Sequence, residues 1–259
     1  MPMRLDLDFG NCLIKAQLSS DNKNTESVAV FSDTEQLTQY YSAYTIQRIC
    51  VLSVRRDQTE INTLEQWAWQ KFGIKPEYAK VTPQACGVVN AYDHPEHLGV
   101  DRWAAMLAAY HLQKEQTSID SVLVIDCGTA ITLDWLDETG QHLAGMIVPG
   151  LDALYFALEK KTGLKPGTVP THNSNVLSGL ALAKPDAHSS TEIAVNSGID
   201  AMFNSFFQQQ IKASFDRFQS AFSVYLSGGN AEYFRHYLPK EKLEYHPDLT
   251  LQGLRLILP

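Results

Sequence analysis

The sequence predicts an α/β protein of two related lobes, residues 1–117 and 118–259, each a mixed β-sheet with flanking helices. Two observations carry this. Apolar, β-branched or alternating segments give way to segments of helical period in both halves of the chain. The same short unit also opens each half: an apolar strand, an acidic glycine turn and a returning strand. In the first half these are Arg4 to Asp8, the turn Asp8-Phe9-Gly10-Asn11-Cys12, and Leu13 to Leu18. In the second they are Val122 to Ile125, the turn Asp126-Cys127-Gly128-Thr129, and Ile131 to Leu136, followed by the turn Asp137-Glu138-Thr139-Gly140 and a strand from His142 to Val148. One Asp-x-Gly turn marks an ordinary hairpin. Two in matching contexts indicate duplication.

The bulk numbers fit. A chain of 259 residues, 44% hydrophobic and 19% charged, has globular composition and is long enough for two lobes. A net charge of −8 argues against a nucleic-acid or anionic-membrane surface and favours a small-molecule partner. Cys12, Cys50, Cys86 and Cys127 are scattered without zinc spacing, which reads as reduced thiols. Asp6 and Asp8 interrupt the first apolar segment and no run of about 18 apolar residues occurs. The expectation is a soluble, cytoplasmic protein.

From Arg4 to Phe9 the pattern alternates, with Leu5, Leu7 and Phe9 on one side and Arg4, Asp6 and Asp8 on the other. Asp8 is thus expected at a strand end on the polar side. A turn rich in backbone N–H groups at Gly10-Asn11-Cys12 suits an anion, and Lys15 in the returning strand can reach a phosphate held there. Without a phosphate, Lys15 is a solvated strand lysine. Val28 to Phe31 predict a third strand, Thr34 to Tyr44 a helix, and Arg48 to Val54 a further strand. Asp57 or Thr59 is the expected cap of a helix carrying Ile61, Leu64, Trp67, Ala68 and Phe72, closed by Gly73. Trp67 and Trp69 cannot share a face, so one of them belongs at the surface.

Pro83, Gly87, Pro95 and Gly99 break any periodicity from Val81 to Gly99 and predict a long irregular loop. His94 and His97 flank Pro95, which spoils helical metal-ligand spacing. The loop ends in Gly99-Val100-Asp101-Arg102, with Asp101 as expected N-cap of a helix running to Gln113. As a cap alone, Asp101 would leave Arg102 a first-turn surface residue. As chemistry, the pair sets a carboxylate able to take a proton from an alcohol beside a cation able to clamp a carboxylate.

In the second half, Leu151 to Lys161 read as a helix and Thr162 to Asn175 as a loop. Ser189 or Ser190 is expected to cap a helix from Thr191 to Phe218 with an apolar face of Ile193, Ile199, Met202, Phe203, Phe206 and Ile211, suited to core or dimer interface. Gly198 within it suggests close packing. Phe222 to Leu226 form a strand, and Ser227 to Ala231 a tight turn. That turn either lets backbone approach a nucleotide base or ribose, or simply links strand to helix. Leu249 to Leu258 are expected as a strand or short helix packed on the second lobe.

Taken together these motifs resemble the type III pantothenate kinases of bacterial coenzyme A synthesis, from Asp8 to Leu251-Gln252-Gly253-Leu254. The most specific part runs from Tyr92 through Pro95, Leu98 and Gly99 to Asp101-Arg102. The two acidic turns are shared more loosely by actin-like (ribonuclease H-like) kinases, in which nucleotide binds between two related lobes. The resemblance implies phosphorylation of pantothenate by ATP with Mg2+ and a monovalent cation, K+ or NH4+. It implies Asp101 as catalytic base, Arg102 as the ligand of the pantothenate carboxylate, and Tyr92, Gly99, Val100 and Thr191 as further substrate contacts. It places Asp8, Phe9, Gly10, Asn11, Cys12, Lys15 and Thr129 at the ATP phosphates, Asp8 also at the magnesium nucleotide, and Asp126 at the monovalent cation. A homodimer is implied as well. Cys12 stands where the family more often has Thr or Ser, and residues 162–175 match little. Two rival readings are an actin-like phosphotransferase or phosphohydrolase with another small acceptor, and a non-catalytic regulator. The Tyr92 to Arg102 loop opposes the first, and the presence of Asp8, Asp101, Arg102, Asp126 and Thr129 the second.

Overall fold

Two five-stranded sheets share one strand order. The first runs β3-β2-β1-β4-β5, from β1 (Met3–Phe9), β2 (Ile14–Ser20), β3 (Ala29–Phe31), β4 (Ile46–Ser53) and β5 (Glu77–Tyr78). The second runs β10-β9-β8-β11-β12, from β8 (Ser121–Cys127), β9 (Ala130–Leu136), β10 (His142–Pro149), β11 (Phe222–Ser227) and β12 (Leu243–Tyr245). β1 pairs in parallel with β4, and β8 in parallel with β11. The duplication expected from the acidic turns is therefore present in the topology. This computed structural model describes residues 3–20, 26–54, 58–116, 120–164, 190–219 and 221–259. Residues 21–24 of the polar turn that Ser19 to Asn24 predict after β2, Asp57, the 117/118 boundary, residues 165–175 and Ser189 fall outside the described residues.

The chain forms two compact units: Met1–Ile119 with Leu136–Ala144 and Asp248–Pro259, and Asp120–Trp135 with Gly145–Pro247. In the first, α1 (Thr34–Tyr41) begins at Asp33, whose carboxylate accepts from the Gln36 N–H at 2.9 Å, and ends three residues earlier than the apolar pattern suggested. α2 spans Gln58–Phe72, with Thr59 inside it rather than capping it, and Gly73 in the left-handed region (φ 69°) ends it. Leu37, Tyr41, Ile61, Leu64 and Ala68 of these helices pack on Leu5, Leu7 and Phe9 of β1. Trp69 is exposed, whereas Trp67 packs edge-on against Phe72.

The second face of β1 departs from expectation. Asp6 and Asp8 are buried too, because α7 (Leu249–Ile257) and α3 (Val100–Lys114) close over that side with Cys50, Leu52, Ala104, Leu251 and Leu254 in one apolar cluster. Asp6 accepts from Arg4 Nε (2.7 Å) and Arg255 Nε (2.8 Å), which makes burial of its charge tolerable. The C-terminal segment, expected on the second lobe, is therefore a helix of the first unit, packed on α3 and β1. Its hydrophobic stripe has period 3.6 and matches the alanine-rich side of α3, a pairing that sequence order could not reveal.

The Val81 to Gly99 segment is more regular than its Pro and Gly content suggested. β6 (Gln84–Ala85) and β7 (Val88–Val89) form a hairpin across Cys86-Gly87, both at positive φ (51° and 87°), and a 3₁₀ turn spans Pro95–His97.

In the second unit, α4 spans Leu151–Thr162, α5 Thr191–Phe218 and α6 Ala231–Phe234, with the Ile193 N–H donating to the Ser190 hydroxyl at 3.2 Å as the N-cap of α5. The buried stripe of α5 is Asn196, Ile199, Phe203, Phe207, Ile211 and Ser214. Phe207 replaces Phe206 in it and Met202 is 48% exposed, a correction of one helical position that follows from a face chosen by Phe234 and Tyr237 of the following segment. Gly198 faces open space and reflects no close packing. Among the described residues no helix is long and apolar enough to cross a membrane.

A close helix contact lies at Gly253, where any Cβ would overlap the backbone carbonyl of Ala104. Gly253→Ala should destabilise the protein by about 1–3 kcal/mol or more, because backbone cannot yield as a side chain does. Urea unfolding of the variant against wild type measures it.

Candidate functional site

In the first unit the site begins at the end of β1. Asp8 lies opposite Lys15 on β2 and Leu52 on β4, so the sheet ladder itself sets a carboxylate beside an ammonium. The Asp8 side chain is almost fully buried, and its Oδ2 accepts from the Thr250 hydroxyl at 2.6 Å. Burial pushes its pKa above the usual carboxylate value and the negative charge of Asp101 adds to this; the Thr250 hydrogen bond and Lys15 oppose it. Asp8 and Asp101 thus sense one another, although 93 chain positions would not have suggested it from local pattern. Asn11, Cys12 and Leu13 after Gly10 are exposed, as a ligand-facing turn requires. Phe9 contributes no side chain there: it belongs to the core, and its carbonyl accepts from the Val54 N–H at 3.3 Å.

The second element is the start of α3. Gly99 occupies the cap position and Asp101 is the second helical residue, not the cap expected from the sequence. Asp101 Oδ1 accepts from the Arg102 N–H at 2.8 Å, where the unsatisfied N–H groups of the first turn favour a carboxylate. A Cβ at position 99 would stand 2.5 Å from that oxygen, so glycine leaves room for this rotamer. Arg102 is only 6% exposed, not a surface residue. Its Nη1 donates to the Tyr92 hydroxyl at 2.9 Å, and the guanidinium lies 5.8 Å from the Tyr92 ring centre. Tyr92 is held in turn by its N–H donating to Asn90 Oδ1 (2.9 Å) and by a near-parallel His142 ring at 6.2 Å.

Asn90 and His142 are the partners that sequence reasoning missed. Asn90 stands two residues before Tyr92, an Asx-turn spacing that is a local sequence signal. His142 had none, since its place beside Tyr92 depends on where a distant hairpin folds.

In the second unit, Asp126 is the penultimate residue of β8, opposite Ser227 of β11. Its turn is gripped from two sides. The Gly150 N–H donates to the Thr129 carbonyl at 2.9 Å and the Asn230 N–H to the Cys127 carbonyl at 2.9 Å. Gly228 has φ 99° and lies so close that a Cβ would stand 2.5 Å from Asp126 Oδ1. The Ser227 to Ala231 turn thus has a third role that neither sequence alternative named: it shapes the acidic turn. Burial raises the Cys127 thiol well above its usual pKa, which makes it an unreactive packing residue. Thr129 is exposed on the turn, and Thr191 is exposed at the first position of α5, away from the turn in sequence and element.

Among the described residues no three His, Cys, Asp or Glu side chains converge as a metal cage. A cation at Asp8 or Asp126 would therefore complete its shell with backbone carbonyls, water or phosphate oxygens, the donor set suited to a magnesium nucleotide or a monovalent ion. A buried carboxylate carrying an unfavourable charge is a fitting partner for such a cation.

The raised pKa of Asp8 has a consequence for the ligand-free protein. The folded state binds this proton more tightly than the unfolded chain, so the Asp8 contribution falls as pH rises from the unfolded value of about 4 through the folded one. Asp8→Asn should therefore raise Tm above wild type at pH 7 to 8, and the difference should shrink on acidification toward pH 4. Calorimetric scans across that range test it.

Comparison with known proteins places these features in context. The family profile described as type III pantothenate kinase matches residues 4–213. A type III pantothenate kinase of Ectopseudomonas mendocina is 32% identical, covering 99% of both chains. Among solved structures, a Campylobacter jejuni protein assigned provisionally as a Baf family transcriptional activator superposes with a TM-score of 0.57 at 19% identity, covering 98% of this chain and 96% of that one. A propionate kinase of Francisella tularensis superposes with a TM-score of 0.51 at 11% identity over 98% of each chain, a likeness of fold alone.

Proposed function

The chain belongs to the type III pantothenate kinase family, and from this premise we propose that it transfers the γ-phosphoryl group of ATP to the primary hydroxyl of pantothenate. The product is 4′-phosphopantothenate, the first intermediate toward coenzyme A. The observation that carries the reading is the start of α3, where Asp101 and a buried Arg102 oriented by Tyr92 stand side by side.

Asp101 accepts the proton of the attacking hydroxyl, and its helix-start hydrogen bond fixes the carboxylate for that task. Arg102 binds the pantothenate carboxylate; its planar fork of N–H donors matches that group, and the Tyr92 hydroxyl sets the plane. Tyr92, Gly99, Val100 and Thr191 serve the remainder of the substrate. Gly10, Asn11 and Cys12 with Lys15 in the first unit, and Thr129 in the second, serve the phosphates, with Phe9 acting through its backbone position. Asp8 faces the magnesium nucleotide and Asp126 a monovalent cation, K+ or NH4+. Bound magnesium would neutralise phosphate charge, and a loose phosphoryl-transfer transition state needs such neutralisation and alignment more than a strong base.

We place the protein in the cytoplasm as a homodimer without nucleic-acid or membrane partners, the lobes dividing as repeats at 117/118. The net charge of −8 disfavours a general nucleic-acid or anionic-membrane surface. Exposed Met146, Ile147 and Phe156 supply apolar surface for a second copy.

Steady-state kinetics test the roles. Asp101→Asn should lower kcat by about 10²–10⁴-fold with a small effect on the pantothenate KM, the range of a general base. Arg102→Ala should mainly raise that KM, by roughly 10–100-fold for the loss of a charged hydrogen-bond partner. The opposite pattern would overturn the assignment. Potassium or ammonium should stimulate wild type, and Asp126→Asn should lose that stimulation.

A further inference from the structure

Thr250 belongs to none of the motifs discussed above, yet it is 4% exposed and its hydroxyl donates to Asp8 Oδ2 at 2.6 Å. The helix that carries it is anchored by contacts that do not involve this hydroxyl. Leu251 and Leu254 lie in the apolar cluster with Cys50, Leu52 and Ala104, Gly253 rests on the Ala104 backbone, and Arg255 Nε donates to Asp6 Oδ2 at 2.8 Å. The donor is therefore held in place before any ligand arrives. An aspartate carboxylate rotates readily about its last torsion, so one oxygen must be held if the other is to meet a cation in a fixed direction.

We propose that Thr250 is a positioning residue for the nucleotide site: its hydroxyl holds one oxygen of Asp8 so that the other is presented at the end of β1 to a magnesium nucleotide. The inference rests on the placement of Asp8 at the nucleotide given above and adds to it the group that orients the carboxylate. The C-terminal helix thereby becomes part of the active machinery. Partners of this kind, which touch a cation's ligand and not the cation, change metal affinity or activity by about 10–100-fold when removed.

The test measures binding as well as turnover. Calorimetric titration with ADP, with and without Mg2+, compares wild type, Thr250→Val, which keeps the shape and removes the donor, and Thr250→Ser, which keeps the donor. The gain in ADP affinity produced by Mg2+ should fall about 10–100-fold in the valine variant and return in the serine variant. Affinity for ADP alone and the KM for pantothenate should stay at wild-type values. If the valine variant does not fold, Thr250→Ala replaces it in the same titration. A hydroxyl-free variant with the full Mg2+ gain overturns the proposal, whatever its Tm, because a purely structural hydrogen bond would move stability alone. A wild type that binds ADP with no Mg2+ gain overturns the placement of Asp8 and this inference with it. An intact Mg2+ gain without phosphorylation of pantothenate overturns only the acceptor and leaves Thr250 in its role.

Discussion

Burial of both faces of β1 is the constraint on which the first unit depends. A strand covered on one side by α1 and α2 and on the other by α3 and α7 has no solvated face for its charged residues. Asp6 and Asp8 must therefore be answered from within the protein. Asp6 is answered by two arginines, Arg4 and Arg255, and Asp8 by the Thr250 hydroxyl with Lys15 across the ladder. The two solutions differ in kind. Asp6 has a full cationic complement and serves structure; Asp8 has a weaker one and keeps an energetic demand for further positive charge. The metal cation of a magnesium nucleotide would meet that demand, at a cost in stability of the free protein.

The second unit holds its acidic turn by other means. Backbone N–H groups of Gly150 and Asn230 take the carbonyls of Thr129 and Cys127, and Gly228 approaches where no side chain would fit. Duplication has kept the strand order and the Asp-x-Gly turn, while the support around each turn has diverged. A buried threonine and a C-terminal helix stand behind Asp8, and glycine backbones stand behind Asp126. Such divergence agrees with different partners for the two carboxylates.

The start of α3 shows how a loop and a helix orient one buried side chain together. Arg102 is buried, so its guanidinium needs partners; the Tyr92 hydroxyl is one, and Tyr92 is kept in place by Asn90 and the His142 ring. Orientation of the cation is thus inherited from a chain of contacts reaching back to β10. Asp101 needs less support, because the helix start itself supplies the hydrogen bond.

Much of this was legible in the chain. Strands β1 and β8 with their acidic turns, and the length of α5 from Thr191 to Phe218, are local signals, written in period, capping residues and turn chemistry, and they emerged where expected. Family membership followed from the same short motifs. What the sequence could not decide were matters of long-range packing: which side of β1 is covered, where Leu249–Ile257 docks, whether Arg102 is buried, and what Gly228 packs on. Gly198 as a packing glycine and Phe206 in the place of Phe207 failed for that reason, since each was judged from its own helix without the neighbour that selects a face. Local periodicity determines which elements form and which residues lie at their ends. Only tertiary structure decides which ends meet, because contacts such as Thr250 with Asp8 join residues from opposite ends of the chain and leave no trace in the spacing of either.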